Sequence, residues 1–297
     1  MTQAVLTIGI PVYNRREALC AVLEKLVADQ VHLLPQVEVL VIDDDSPDQS
    51  YEAAMAFDGV GNIRVLKNAV RAGFRGNFCK LIEHCRTEYL MYSCDDDFVV
   101  AQGIPPLLDY LGSANPPPAV LSSLFYDKGQ VYRSNTEQIL PIQLGEYRHC
   151  CSHLPGLVYN ARLAKAVVPR IERFMLDPRN AYPQCCLTLL LLLFGYPGVY
   201  FPVELVRTGF DLESGIEGYA TVAQRWQQYL FFTELLEHLA ANISEERIAG
   251  YARQLLEFHR QSLFLVLGNA VSTERPDLTS VFIAGAAAYF EKQKAGG

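Results

Sequence analysis

The residues with the clearest chemical capacity are two runs of acids, Asp95-Asp96-Asp97 and Asp43-Asp44-Asp45. Tyr89-Leu90-Met91-Tyr92 leads into the first through Ser93 and Cys94, and Val37-Glu38-Val39-Leu40-Val41-Ile42 leads into the second. Both lead-ins are strand-forming. Adjacent carboxylates cannot stay inside a sheet without a counter-charge, so each run must emerge at a strand end. Acids at the carboxyl end of a strand, at the mouth of an α/β crevice, suit a hard divalent cation and the phosphates it carries. A solvated acidic turn is the plainer alternative. The elements around the acids weigh between the two.

Val5 to Pro11 reads as a first buried strand, followed by the loop Val12-Tyr13-Asn14-Arg15-Arg16. In the next segment Leu19, Val22, Leu23, Leu26 and Val27 recur at helical spacing, with Asn14 placed to cap it. The strand into Asp43 follows, then a helix over Tyr51 to Phe57 and a short strand over Ile63 to Leu66. The loop Lys67 to Asn77 carries Lys67, Arg71 and Arg75, and a helix bearing Phe78, Leu81, Ile82 and Cys85 leads to the strand before Asp95. Strands and helices alternating in this way predict an α/β fold with a parallel sheet, on which both acid runs share one edge.

Beyond residue 100 the pattern predicts a helix over Ile104 to Leu111, a rigid turn at Asn115-Pro116-Pro117-Pro118, and strands over Ala119 to Phe125 and Gln130 to Arg133. Helices are expected over Asn160 to Phe174 and Pro183 to Phe194, then a strand over Gly198 to Arg207. From about Gly215 the chain turns helical, over Ala220 to Ala241, Glu245 to Leu267 and Thr279 to Lys292, with Ser244 as an N-cap. The expected organisation is residues 1–214, divided into a nucleotide-binding half (1–100) and an acceptor-side half (101–214), followed by a helical extension (215–297).

Ile8-Gly9-Ile10-Pro11-Val12-Tyr13-Asn14-Arg15, Val41-Ile42-Asp43-Asp44-Asp45-Ser46 and Cys94-Asp95-Asp96-Asp97, in that order, resemble the inverting glycosyltransferases of family 2, which have the GT-A fold. The resemblance covers residues 4–100 well and 150–210 loosely. It implies transfer of one sugar from a nucleoside-diphosphate sugar, most simply a UDP-sugar, with Mn2+ or Mg2+ as cofactor. The acceptor it implies is a saccharide, lipid-linked as in bacterial surface-polysaccharide assembly. It places Pro11, Tyr13, Asn14 and Arg15 at the nucleotide, with Tyr13 against the base and Asp44 accepting from a ring nitrogen. Arg71 or Arg75 would lie near the diphosphate, Asp96 near the ribose, and Asp97 at the metal, with Asp95 supporting both.

The family usually sets an acidic base at the start of a buried helix in the acceptor half. Here that segment reads Ala181-Tyr182-Pro183-Gln184, and Gln184 can bind a hydroxyl but cannot take its proton. Asp177, before Pro178, is the nearest carboxylate, and Asp211 and Glu213 compete with it for the role of catalytic base, Asp177 and Asp211 being the expected candidates. His153, in His149-Cys150-Cys151-Ser152-His153, is expected beside Gln184 at the acceptor; adjacent cysteines suit a zinc site poorly. Arg225-Trp226 lacks the preceding Gln of processive relatives, so Trp226 is expected in the core. A nucleotidyltransferase is an alternative, though the chain has no Gly-rich basic N-terminal loop for a triphosphate. A sugar-nucleotide-binding protein without turnover is another.

Half of the 297 residues are apolar, ample for a large core, and the net charge of −8 with no long basic run argues against a nucleic-acid surface. The eight cysteines show no disulfide spacing, which predicts reduced thiols and a cytoplasmic protein. The apolar run Leu187 to Phe194 is too short to span a membrane. The C-terminal helices leave open a packed appendage, a homodimer face, or a peripheral dock at the inner membrane surface.

Overall fold

The computed structural model describes residues 4–127, 130–133, 136–209 and 222–262, with short stretches at 271, 279–280 and 283–284. The chain divides into two compact units, residues 1–176 with 182–212, and residues 177–181 with 213–297.

The first unit is built on a mixed sheet. Its parallel part is β1 (Leu6–Val12), β2 (Val37–Asp43), β3 (Ile63–Lys67) and β4 (Tyr89–Tyr92), in the order β3-β2-β1-β4. The connections are α1 (Arg16–Ala28), α2 (Ser50–Ala54) and α3 (Gly73–His84). Every residue of β1 is buried, as expected of a strand covered on both faces. Leu6, Ile8, Ile10, Val39, Val41 and Met91 make the centre of the core, with Leu19, Val22, Leu23 and Leu26 of α1 packed onto it.

β5 (Asp97–Val99) and α4 (Ile104–Ser113) follow, then β6 (Val120–Asp127), β7 (Gln130–Arg133), β8 (Leu140–Pro141) and β9 (Leu157–Asn160). The Asn115–Pro116 peptide between α4 and β6 is cis. β9 joins β4 and β6 antiparallel, and β10 (Gly198–Glu204) runs parallel to β6. Parallel pairing therefore governs the first hundred residues, and the pairing after residue 100 is mixed. The segment expected as one helix over Asn160 to Phe174 is α5 (Ala161–Val167), a 3-10 turn at Val168–Ile171 and α6 (Glu172–Met175). Pro169 lacks the N–H that a continuous helix would need. α7 (Pro183–Leu193) is buried along its whole length, and β11 (Val206–Thr208) pairs with β5.

The second unit contains α8 (Val222–Asn242) and α9 (Glu246–Gln261). Phe231, Phe232, Leu235, Leu236 and Leu239 are buried, as are Ile248, Ala252, Leu256 and His259. His259 stacks on Tyr229 at 4.4 Å and donates through Nε2 to the Tyr229 carbonyl at 3.0 Å. Trp226 is not in this core: it is 39% exposed and lies flat on Tyr229. Ser244 is not the cap either, since Glu245 precedes α9 and makes no side-chain cap bond. No helix among the described residues is long and apolar enough to cross a membrane.

Candidate functional site

β1, β2 and β4 are parallel and in register, Val12 opposite Asp43 and Gly9 opposite Tyr92, so their carboxyl ends form one rim. The exit loops along it are bonded together. Asn14 has φ 56°, and its N–H donates to Ser46 Oγ at 2.9 Å. The N–H of Arg15 donates to Ser50 Oγ at 3.2 Å, and that of Arg16 to Asp48 Oδ2 at 2.9 Å. Asn14 therefore does not cap α1; Arg15 holds the N-cap position and makes no side-chain cap bond.

Asp44 is 1% exposed. Its Oδ1 accepts from Asn68 Nδ2 at 2.8 Å and from the N–H of Ala72 at 2.7 Å, and its Oδ2 accepts from the N–H of Gly73 at 2.7 Å. A carboxylate just past β2 thus satisfies the start of α3, where the helix dipole favours negative charge. Gly73 has φ +72°, which only glycine adopts without strain. With four acceptor positions on a carboxylate, these bonds leave one of Asp44's unused. Neighbouring Asp43 accepts from the N–H of Ser46 through Oδ2, while its buried Oδ1 has no partner.

The second acid run is a turn rather than a strand end. β4 stops at Tyr92, Ser93 and Cys94 follow, and Asp97 already opens β5. β5 is held by β11, with Asp97 opposite Thr208, and Thr208 Oγ1 donates to the Tyr126 carbonyl at 3.0 Å. A Cβ on Gly209 would lie 2.4 Å from the Asp96 carbonyl oxygen, so the chain leaving β11 passes against the acid turn. Asp211, two residues further on, and Glu213 lie outside the described residues.

Of the three acids, Asp96 and Asp97 converge. A carboxylate oxygen of each and Cys94 Sγ all lie within 4.8 Å of one another, room for one cation to touch all three. Asp95 is not in this group; it accepts a hydrogen bond from the backbone of Tyr13, which ties the acid turn to the β1 exit loop. Burial, and then the charge of Asp96, raise the Asp95 carboxyl to about 7, opposed by the Arg15 guanidinium. Burial raises Asp96 too, again against Arg15. Crowded carboxylates, two of them opposed by the Arg15 guanidinium, are the environment a divalent cation would relieve.

Arg71 sits 3.8 Å above the Tyr13 ring, so one face of the expected base platform is already covered by the cation expected at the diphosphate. Arg75, in the first turn of α3, follows Gly73 and Phe74. Pro11 lies on β1 opposite Ile42.

Where the acceptor is expected, the N–H of Gly156 donates to the Tyr92 carbonyl at 2.8 Å, which seats the 153–156 loop beside the acid turn. Arg133, fully buried, braces that loop through the carbonyls of His153 and Pro155. Burial pushes its guanidinium down to about 10. The His153 ring packs on Phe125 and meets Ser152 Oγ at 3.1 Å through Nδ1. Gln184 occupies the first turn of α7, 3% exposed, with Oε1 lacking any partner. Cys150, Cys151, Cys185 and Cys186 are buried free thiols, and among the described residues they form no close ligand group with the histidines. Asp177 belongs to the second unit, where Arg179 pairs with it at 2.7 Å and with Glu234 at 2.7 Å. A cavity of about 530 Å³, lined in part by Glu83, Arg86, Arg162 and Lys165, lies at the opposite end of β4 from the acids.

Sequence reasoning missed the bonded exit loops, Cys94 and Gly209. Ser46, Asp48 and Ser50 recur at every second position, the one sequence sign that a loop there offers acceptors to a neighbour.

The family described as Glycosyl transferase family 2 matches residues 7–162. No curated protein matches the chain by sequence. Among solved structures, S. aureus TarS 1–349 in complex with UDP-GlcNAc superposes with a TM-score of 0.66 at 15% identity, over 90% of this chain and 81% of that one. The mannosyltransferase PcManGT from Pyrobaculum calidifontis, in complex with GDP-Man and Mn2+, gives 0.58 at 15% identity, over 99% and 81%. At such identities the likeness is one of fold, the GT-A fold.

Proposed function

We propose, from the premise that this chain belongs to glycosyl transferase family 2, that it is a metal-dependent inverting transferase. It moves one sugar from a UDP-sugar to a hydroxyl of a saccharide acceptor. The observation that carries the reading is the meeting of Asp96 and Asp97 on the rim shared by β1, β2 and β4, beside Arg15. The TarS and PcManGT complexes hold nucleotide sugars on the same fold, which supports the donor class.

In this reading Pro11, Tyr13, Asn14 and Arg15 line the nucleotide, Asp44 gives its remaining acceptor position to the base, and Asp96 meets the ribose. Arg71 leaves the Tyr13 ring or sandwiches the base on it, and with Arg75 faces the diphosphate. Asp97 holds Mn2+ or Mg2+, with Asp95 and Asp96 supplying the remaining negative charge. The cation would neutralise charge gained by the departing diphosphate. A carboxylate must take the acceptor proton as the hydroxyl attacks the anomeric carbon from the opposite face. Asp177 and Asp211 are the candidates, and the ion pair on Asp177 together with the path of Gly209 past Asp96 favours Asp211. Gln184 and His153 orient the acceptor, for which we propose a lipid-linked saccharide of surface-polysaccharide assembly, met at the inner face of the membrane.

Calorimetric titration of UDP, GDP, CDP and dTDP, with and without Mn2+, tests the site. The expected result is UDP binding that requires Mn2+ and is lost in Asp97→Ala. Preference for another base would replace the donor, and no binding by any of the four would overturn the reading.

A further inference from the structure

The acid turn brings a third kind of donor into the cation site. Cys94 shares the 4.8 Å grouping with Asp96 and Asp97. Cys94 is only partly buried, unlike the thiols of Cys85, Cys150, Cys151, Cys185 and Cys186, which fill core positions. Among the described residues no other cysteine meets carboxylates in this way.

We propose that Cys94 is a protein ligand of the cation site, so that the site takes thiophilic divalent ions, Zn2+, Cd2+ and Co2+, through one sulfur and two oxygens. This rests on the metal-dependent reading above and adds a preference that reading does not contain. Mg2+ demands an oxygen shell in near-octahedral order and gains nothing from a thiolate. Zn2+ accepts sulfur at about 2.3 Å and carboxylate oxygen at about 2.0–2.2 Å. Soft ligands select among divalent metals where raw affinity does not. Donors at residues 94, 96 and 97 lie on one short turn, pinned at one end by β4 and at the other by the β5–β11 pair, so a single ion can reach all three with little rearrangement. On binding, a metal–sulfur bond forms and the thiol proton leaves to solvent; no oxidation state changes. The consequence for the enzyme is that Zn2+ competes with the Mn2+ or Mg2+ that supports transfer.

The test uses Co2+ as a spectroscopic probe of the full chain, with Cys94→Ser and Cys94→Ala as variants. The expected result is a near-ultraviolet sulfur-to-cobalt charge-transfer band in the wild type that both variants lack. Displacement of bound Mn2+ by Zn2+, followed by Mn2+ paramagnetic resonance, should need roughly tenfold more Zn2+ in the variants, the scale on which lost metal contacts act. Mn2+ binding with no cobalt–sulfur band, or a band that survives in both variants, overturns the thiol ligand and leaves the cation site standing. If neither Mn2+ nor Co2+ binds the wild type, the metal-dependent reading itself fails. Near-identical thermal unfolding of the serine variant and the wild type excludes misfolding as the cause of a lost band.

Discussion

Asp44 shows at the scale of one residue how a carboxylate read from the sequence as a ligand contact is held by the fold. Three of its acceptor positions hold Asn68, Ala72 and Gly73, so it is part of the reason α3 begins where it does. Asp44→Ala removes three hydrogen bonds, two of them to the N–H groups of exposed Ala72 and half-buried Gly73, and should cost about 1–2 kcal/mol, the upper part of the range for a lost helix cap. Urea unfolding measures it; a change within 0.5 kcal/mol, the ordinary range of about 0.5 for surface substitutions, would deny Asp44 the capping role. Asp95 makes a prediction in pH. Its folded carboxyl titrates at about 7, raised by burial and by Asp96, whereas an unfolded aspartate titrates at about 3.9. Between those values the folded chain holds the extra proton, so this group's contribution to stability falls as pH rises through the window. A cation must meet the ionised form. Mn2+ should therefore raise the Tm more at pH 8 than at pH 6, and equal shifts at both would remove Asp95 from the cation's surroundings.

At the scale of elements, what was legible in the sequence was what periodicity and strand exits encode. β1, β2, β4 and the helices between them follow from apolar spacing, and the rim follows from parallel order. The acid turn was less legible. The carboxylates follow β4 in sequence, yet Asp97 begins a new strand because β11, more than a hundred residues later, pairs with it. No local pattern contains that partner. Asn14 was a sound cap by residue type, but Ser46 drew its N–H into the loop bond instead. Trp226 fell outside the core because an apolar face can be broader than the surface that covers it. Asp177 is the instructive case, a carboxylate near the expected position but held by Arg179 in the second unit. The Arg179 side chain is 27% exposed, so its pairs with Asp177 and Glu234 are partly screened and are worth about 1 kcal/mol together. Arg179→Met and Asp177→Asn should each lower stability by about that amount and leave turnover within about twofold, while Asp211→Asn should abolish it. Loss of turnover in Asp177→Asn with Asp211→Asn active would reverse the assignment of the base.

At the scale of the whole molecule, the charge predicts, on the function proposed above, an order in which ligands arrive. The chain carries −8 overall, and its site presents three aspartates in a row. A nucleoside diphosphate is also an anion, so without a cation the long-range field repels the donor that the site is meant to hold. On the function proposed above, a divalent ion in the acid turn would cancel the nearest part of that field and would let Arg15, Arg71 and Arg75 act on the phosphates. The two states differ in the sign of their salt dependence. With saturating Mn2+, donor binding is an attraction and should weaken as salt rises from 0.01 to 0.15 M, where the screening length contracts from about 30 Å to about 8 Å. Without Mn2+, the residual weak binding works against repulsion and should strengthen over the same range. Stopped-flow association of a fluorescent UDP analogue reads both slopes directly. Opposite slopes would establish that the cation binds first and prepares the site for the anion. Parallel slopes would mean that the arginines dominate the field and that the acids on the rim serve the cation alone, without gating the donor.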